Sequence, residues 1–160
     1  MTFLVGISVL DTYAPSASSQ IGNTFNPGDR ANDHDGKAYV YVTASAAIAA
    51  NDVVFFNSAF AATPLSTAND ARGNKVGVAL TAFASGEAGW VQVDGPCSFN
   101  VLASAAANIR LNTTATAGKL DDDGATGSMQ VQGIYLTTAN GAGTNAVAGI
   151  LNNPFIDVTI

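Results

Sequence analysis

Apolar and polar positions alternate with period two along much of this chain, and the alternation is clearest between Lys75 and Val101. Val76, Val78 and Leu80 are interleaved with Gly77 and Ala79, and Val91 and Val93 with Gln92 and Asp94. Short runs of this kind bounded by turn formers are the mark of half-buried strands. Ser85 to Gly89 supplies Gly86 and Gly89 at a turn, where positive φ is expected. Asp94-Gly95-Pro96 is expected to turn the chain once more before a strand from Cys97 to Val101.

The same reading applied in chain order places further strands. Lys37 to Val42 sets Tyr39 and Tyr41 on one face and Val40 and Val42 on the other, and Val53 to Phe56 reads as a buried strand. Residues 57–74 read as one long connection through Pro64, and Val101 to Ile109 as a short helix or a bend. Strands then follow near Ile109 to Leu111, over Val131 to Thr137, Ala146 to Leu151 and Phe155 to Ile160, with a polar tip at Leu120 to Gly127. Roughly seven to nine short strands without a long amphipathic helix predict an all-β fold, a small β-barrel or sandwich of short antiparallel strands.

Residues 1–36 stand apart from residues 37–160. After Phe3, Val5, Ile7 and Val9 the segment is rich in turn formers and has no periodic face. Tyr13, Ile21 and Phe25 are spaced widely along it, as in an extended arm laid in a groove. Phe3, Val5, Tyr13, Ile21 and Phe25 are therefore the expected contacts to a partner or a sister subunit. Fully stretched, such a segment spans at most about 120 Å. The alternative is a solvated tail.

Composition narrows the function. The chain has 160 residues, enough for one domain with a core. Its net charge of −6 opposes an electrostatic grip on nucleic acid. Charged residues make up 11% of the chain, against a usual share of about 25%. Freely soluble domains carry more surface charge, so much of this surface is expected to meet other protein. The opening MTFLVGISVL lacks a basic n-region, and no stretch approaches the roughly 18 apolar residues of a membrane span. A protein made in the cytosol, unprocessed and not in the membrane, is expected.

Candidate chemistry is sparse. Asp33-His34-Asp35-Gly36 places the single histidine between carboxylates, a candidate base or ligand, yet Asp-Gly is ordinary turn chemistry. Asp121-Asp122-Asp123-Gly124 suggests calcium, but counting back from Gly124 puts Lys119 at the first position of an EF-hand loop. One cysteine, Cys97, and one histidine do not make a zinc site, and no nucleophile elbow or phosphate loop occurs. Trp90 with Tyr39 and Tyr41 is a candidate sugar platform, although core packing is the commoner use of such rings. No enzyme activity, cofactor or metal is expected.

KAYVYVTASAAIAANDVVFF, then KVGVALTAFASGEAGWVQVDGPCSF, then a late VAGIL resembles the small capsid-cement, or head-decoration, proteins of tailed bacteriophages. The likeness covers residues 37–102 and, more loosely, the C-terminal third. It implies a β-barrel-like domain without catalysis, located on the virion and bound to the major capsid protein on the outer face of the head. It also implies a homo-oligomer, with a trimer favoured. The arm lies outside the pattern. The competing classes are a carbohydrate- or receptor-binding β-domain of a virion appendage and a hydrolase on a β-scaffold.

Overall fold

The computed structural model describes residues 8–14 and 25–159. Eleven strands form one sheet, and no α-helix occurs among the described residues. The strands are β1 (Thr12–Tyr13), β2 (Arg30–Asn32), β3 (Ala38–Ala44), β4 (Val53–Phe56), β5 (Ala61–Pro64) and β6 (Lys75–Ala79). After them come β7 (Ala88–Val101), β8 (Leu111–Thr113), β9 (Leu120–Asp121), β10 (Met129–Leu136) and β11 (Asn145–Thr159). The all-β expectation holds.

The sheet closes on itself twice. In the first ring β7 pairs with β3 and β6, β6 with β4, β4 with β5, and β5 runs parallel to β3. In the second ring β7 pairs with β11, β11 with β10, β10 with β8, β8 with β9, and β9 returns parallel to β7. Both rings share β7, and its 14 residues are long enough to run through the two of them. Closure removes exposed strand edges, a recurrent liability of antiparallel sheets.

Burial covers both faces where a strand lies between two packed layers, as over Tyr39 to Val42 of β3, Val76 to Ala79 of β6 and Gly89 to Val93 of β7. Val40, Val42, Val54, Phe56, Ala79, Val91 and Val93 fill the first ring. Phe99, Val101, Leu111, Leu120, Val131, Ile134, Leu136, Leu151 and Ile156 form the second core, joined by Val53, Val76 and Val78 from the opposite faces of β4 and β6. Strands β4 and β6 are thus a wall between two cores, apolar on both faces. That explains the near-continuous run Val53-Val54-Phe55-Phe56.

Several expectations need correction. Asp94-Gly95-Pro96 does not end a strand. Gly95 adopts φ +87° inside β7, and the side chain of Gln92, only 1% exposed, donates from Nε2 to the carbonyls of Asp94 and Pro96 at 2.9 Å each. The glycine and the amide together let the strand bend and continue from one ring into the other. The two C-terminal strands are likewise one, β11. Asn153 at φ +45° and Pro154 shift it from pairing with β7 through Asn152 to pairing with β6 at Phe155. The connection of residues 57–74 contains β5, whose Ala-Ala-Thr-Pro sequence carries no alternation to read. Gly86 has positive φ as expected, but Gly89 does not. Gly89 is needed for space, because a Cβ there would lie 3.0 Å from the Asp11 carbonyl and 2.7 Å from the Phe83 ring. Residues 102–109 form turns and a bend, the second of the two forms expected there.

The segment read as an arm contributes to the sheet. Strand β1 pairs Thr12 with Gly89 and Tyr13 with Ala88, and β2 pairs Arg30 through Asn32 with Val40 through Ala38.

Candidate interaction surface

Of the five arm residues singled out in the sequence, Phe3, Val5 and Ile21 lie outside the described residues. Tyr13 and Phe25 are both half-buried on the chain's own β3–β7 face. Phe25 meets Trp90 edge-on with ring centroids 5.0 Å apart, and Trp90 meets Tyr41 in the same way at 5.1 Å. Tilted and edge-to-face rings bring positive edges against negative faces, worth about 0.5–1.5 kcal/mol per pair beyond buried area. Tyr39, Tyr41 and Trp90 are 3%, 1% and 1% exposed, so they form no open sugar platform. They anchor the segment that precedes the first ring.

Polar groups at the junction of the rings are arranged as supports. Asp52 is 5% exposed, accepts from the Ala49 N–H at 3.1 Å and from Asn100 Nδ2 at 2.9 Å, and forms an ion pair with Lys119. Gly118, at φ +78°, lies against this carboxylate, and a Cβ there would overlap it. Asp52 thereby links the start of β4, the end of β7 and the loop before β9. Its residues are far apart in sequence, so no spacing rule revealed them.

The candidate chemical groups are separated from one another. His34 and Asp35 approach to 3.2 Å, with side chains 91% and 61% exposed, on the turn between β2 and β3. Asp33 organises that turn. Burial alone would raise its pKa, yet the backbone N–H groups of Lys37 and Asp35 and the Tyr39 hydroxyl donate to it and hold it below the usual carboxylate range. Burial, and then the bond to Asp33, push Tyr39 far above the ordinary phenol range. Burial also pushes the Cys97 thiol up to about 12, with Lys37 opposing weakly. Burial and its bond to Asp122 raise Asp121, whose neighbour Asp122 accepts from the Ala106 N–H at 3.2 Å. Among the described residues no group of three or more His, Cys, Asp or Glu side chains is placed to hold a metal ion.

Exposed apolar side chains lie on the outer face of the second ring. Along β10, Val131 and Ile134 point into the core while Gln130, Gln132 and Tyr135 line the outside. Tyr135 is 38% exposed and sits opposite Ile150, and Phe155 is 43% exposed opposite Gln132. Ile109, 44% exposed, joins Tyr135 at a shallow depression of about 430 Å³ that also takes in Arg110 and Gln132. Sequence reasoning assigned these strands but not their outer face, because a single exposed Tyr or Phe within an alternating run looks the same as a buried one. No family model, curated protein or solved structure matches the chain.

Proposed function

We propose that this chain is a structural virion protein, a capsid-cement protein that binds the major capsid protein on the outer surface of a phage head and bridges its subunits. The observation that carries the reading is the exposure of Ile109, Tyr135 and Phe155 on a closed double ring, in a chain of which only 11% is charged. Large apolar side chains exposed beside amide neighbours suit a protein interface better than a solvated face. The residues that carry the resemblance, 37–102, build the first ring and its bend into the second. Phe3, Val5 and Ile21 extend the proposed contacts through the arm, while Tyr13 and Phe25 fix that arm to the body.

The mechanism is additive burial. Each copy covers a seam between capsid subunits with a modest apolar area, and a homo-oligomer, a trimer in the favoured form, engages several equivalent seams at once. No step of this requires catalysis or a cofactor. Calorimetry of undecorated heads with and without added protein tests the reading. A rise in the temperature of head rupture supports it, and an unchanged temperature at saturating protein refutes it. Specific retention on a glycan array, without any effect on heads, supports the carbohydrate-binding alternative instead.

A further inference from the structure

A cavity of about 280 Å³ opens at one end of the first ring, where β3 and β6 begin and β4 ends. Val40, Phe56 and Val93 line it from the ring's own core, and Phe155 of β11, beside Pro154 at the lip, adds a fourth apolar wall. Two cations stand at the same opening, Arg30 of the edge strand β2 and Lys75 at the start of β6. Neither makes an ion pair or a side-chain hydrogen bond among the described residues, whereas Arg72 is paired with Asp157 and Lys119 with Asp52. Among the described residues no carboxylate lines the cavity. The chain carries 12 acidic and 6 basic residues, so gathering two unpaired cations around an apolar hollow runs against its average field.

We infer that the mouth of the first ring is a binding site for an amphiphilic aliphatic carboxylate, its chain in the apolar hollow and its head group between Arg30 and Lys75. A planar carboxylate accepts two parallel bonds from a guanidinium, and an ammonium adds a second, freely oriented donor. An inorganic anion would leave the four apolar walls unfilled. An uncharged chain would leave the cations without a partner. The volume lies just under the roughly 300–1,000 Å³ of small-molecule sites, which suits a chain of about eight carbons. The site does not rest on the capsid reading. It lies at the ring's end, meets the proposed capsid surface only at Phe155, and is tested without phage heads.

The test is a methyl and aromatic NMR titration of the full chain with octanoate, with octanol and acetate as controls. Octanoate is expected to move the signals of Val40, Phe56, Val93 and Phe155 saturably, with acetate inert and octanol weaker. Arg30→Gln with Lys75→Gln, both at exposed positions, is expected to weaken octanoate binding by at least about tenfold. Added salt should weaken binding to the unmodified chain in the same direction, a readout that does not depend on the variant's folding. Absence of saturable shifts at these four residues overturns the inference, as does octanol binding as tightly as octanoate or indifference to both charge removal and salt.

Discussion

Asp52 shows how much of this molecule depends on single polar residues placed between cores. Its carboxylate is closed in by Lys119, Asn100, the Ala49 N–H and the bare α-carbon of Gly118. Removing one partner of a buried pair leaves the other uncompensated, at a cost of about 3–5 kcal/mol. Asp52→Ala is therefore expected to lower the unfolding free energy in urea by that amount, and adding Lys119→Met to recover part of it. A loss below about 1 kcal/mol, the range of a surface pair, would contradict this assignment. Asp33 gives a pH-dependent counterpart. Its folded pKa is depressed, so its contribution to stability is present above the unfolded carboxylate value and is lost as pH falls through the lower folded value. Asp33→Asn should flatten the decline of stability below about pH 4, measured by urea midpoints across that range. An unchanged slope would show that the turn does not depend on the charge. Asp33-His34-Asp35-Gly36 was legible as turn chemistry. The partners of Asp52 were not, because Lys119 and Asn100 reach it only through ring closure.

At the scale of elements, alternation identified β3, β6 and much of β7, β10 and β11, an unbroken apolar run identified β4, and alternation assigned Tyr39 and Tyr41 to the opposite face from Val40 and Val42. It failed where turn-forming residues lie inside a strand. Gly95-Pro96 and Asn153-Pro154 look like chain reversals. Here they are points where a long strand changes partner, which only the second ring explains. Gly95→Ala forces a side chain into positive φ, costing roughly 1–2 kcal/mol, and brings a Cβ to 2.9 Å from the Gly36 carbonyl. A lowered thermal midpoint with native strand content is expected by circular dichroism. An unchanged midpoint would mean that β7 does not need the bend. The docking of β1 and Phe25 is equally open to measurement, since Trp90 is the only tryptophan. Phe25→Ala exposes one side of that indole, so its emission should shift to the red with the fold otherwise intact. Emission identical to that of the unmodified chain would place Phe25 elsewhere in solution.

For the whole molecule, two closed rings sharing β7 leave few edges, and the described surface exposes Tyr135 and Phe155 on the outer face of the second ring. The low charge of the chain is enough by itself to suggest contact with other protein. It does not single out Tyr135 and Phe155, because exposure on one face of a strand depends on which ring the other face fills. The central claim is that this face and the arm bind an assembled phage head. It is tested most directly by co-sedimentation of the unmodified protein and a Tyr135→Ser, Phe155→Ser variant with undecorated heads, after light scattering has fixed the oligomeric state of each. The account predicts saturable pelleting of the unmodified protein at a fixed ratio to the major capsid protein, and at least about a tenfold loss of affinity in the folded variant. Protein that stays in the supernatant at every concentration, or a variant that pellets as well as the unmodified chain, would contradict it.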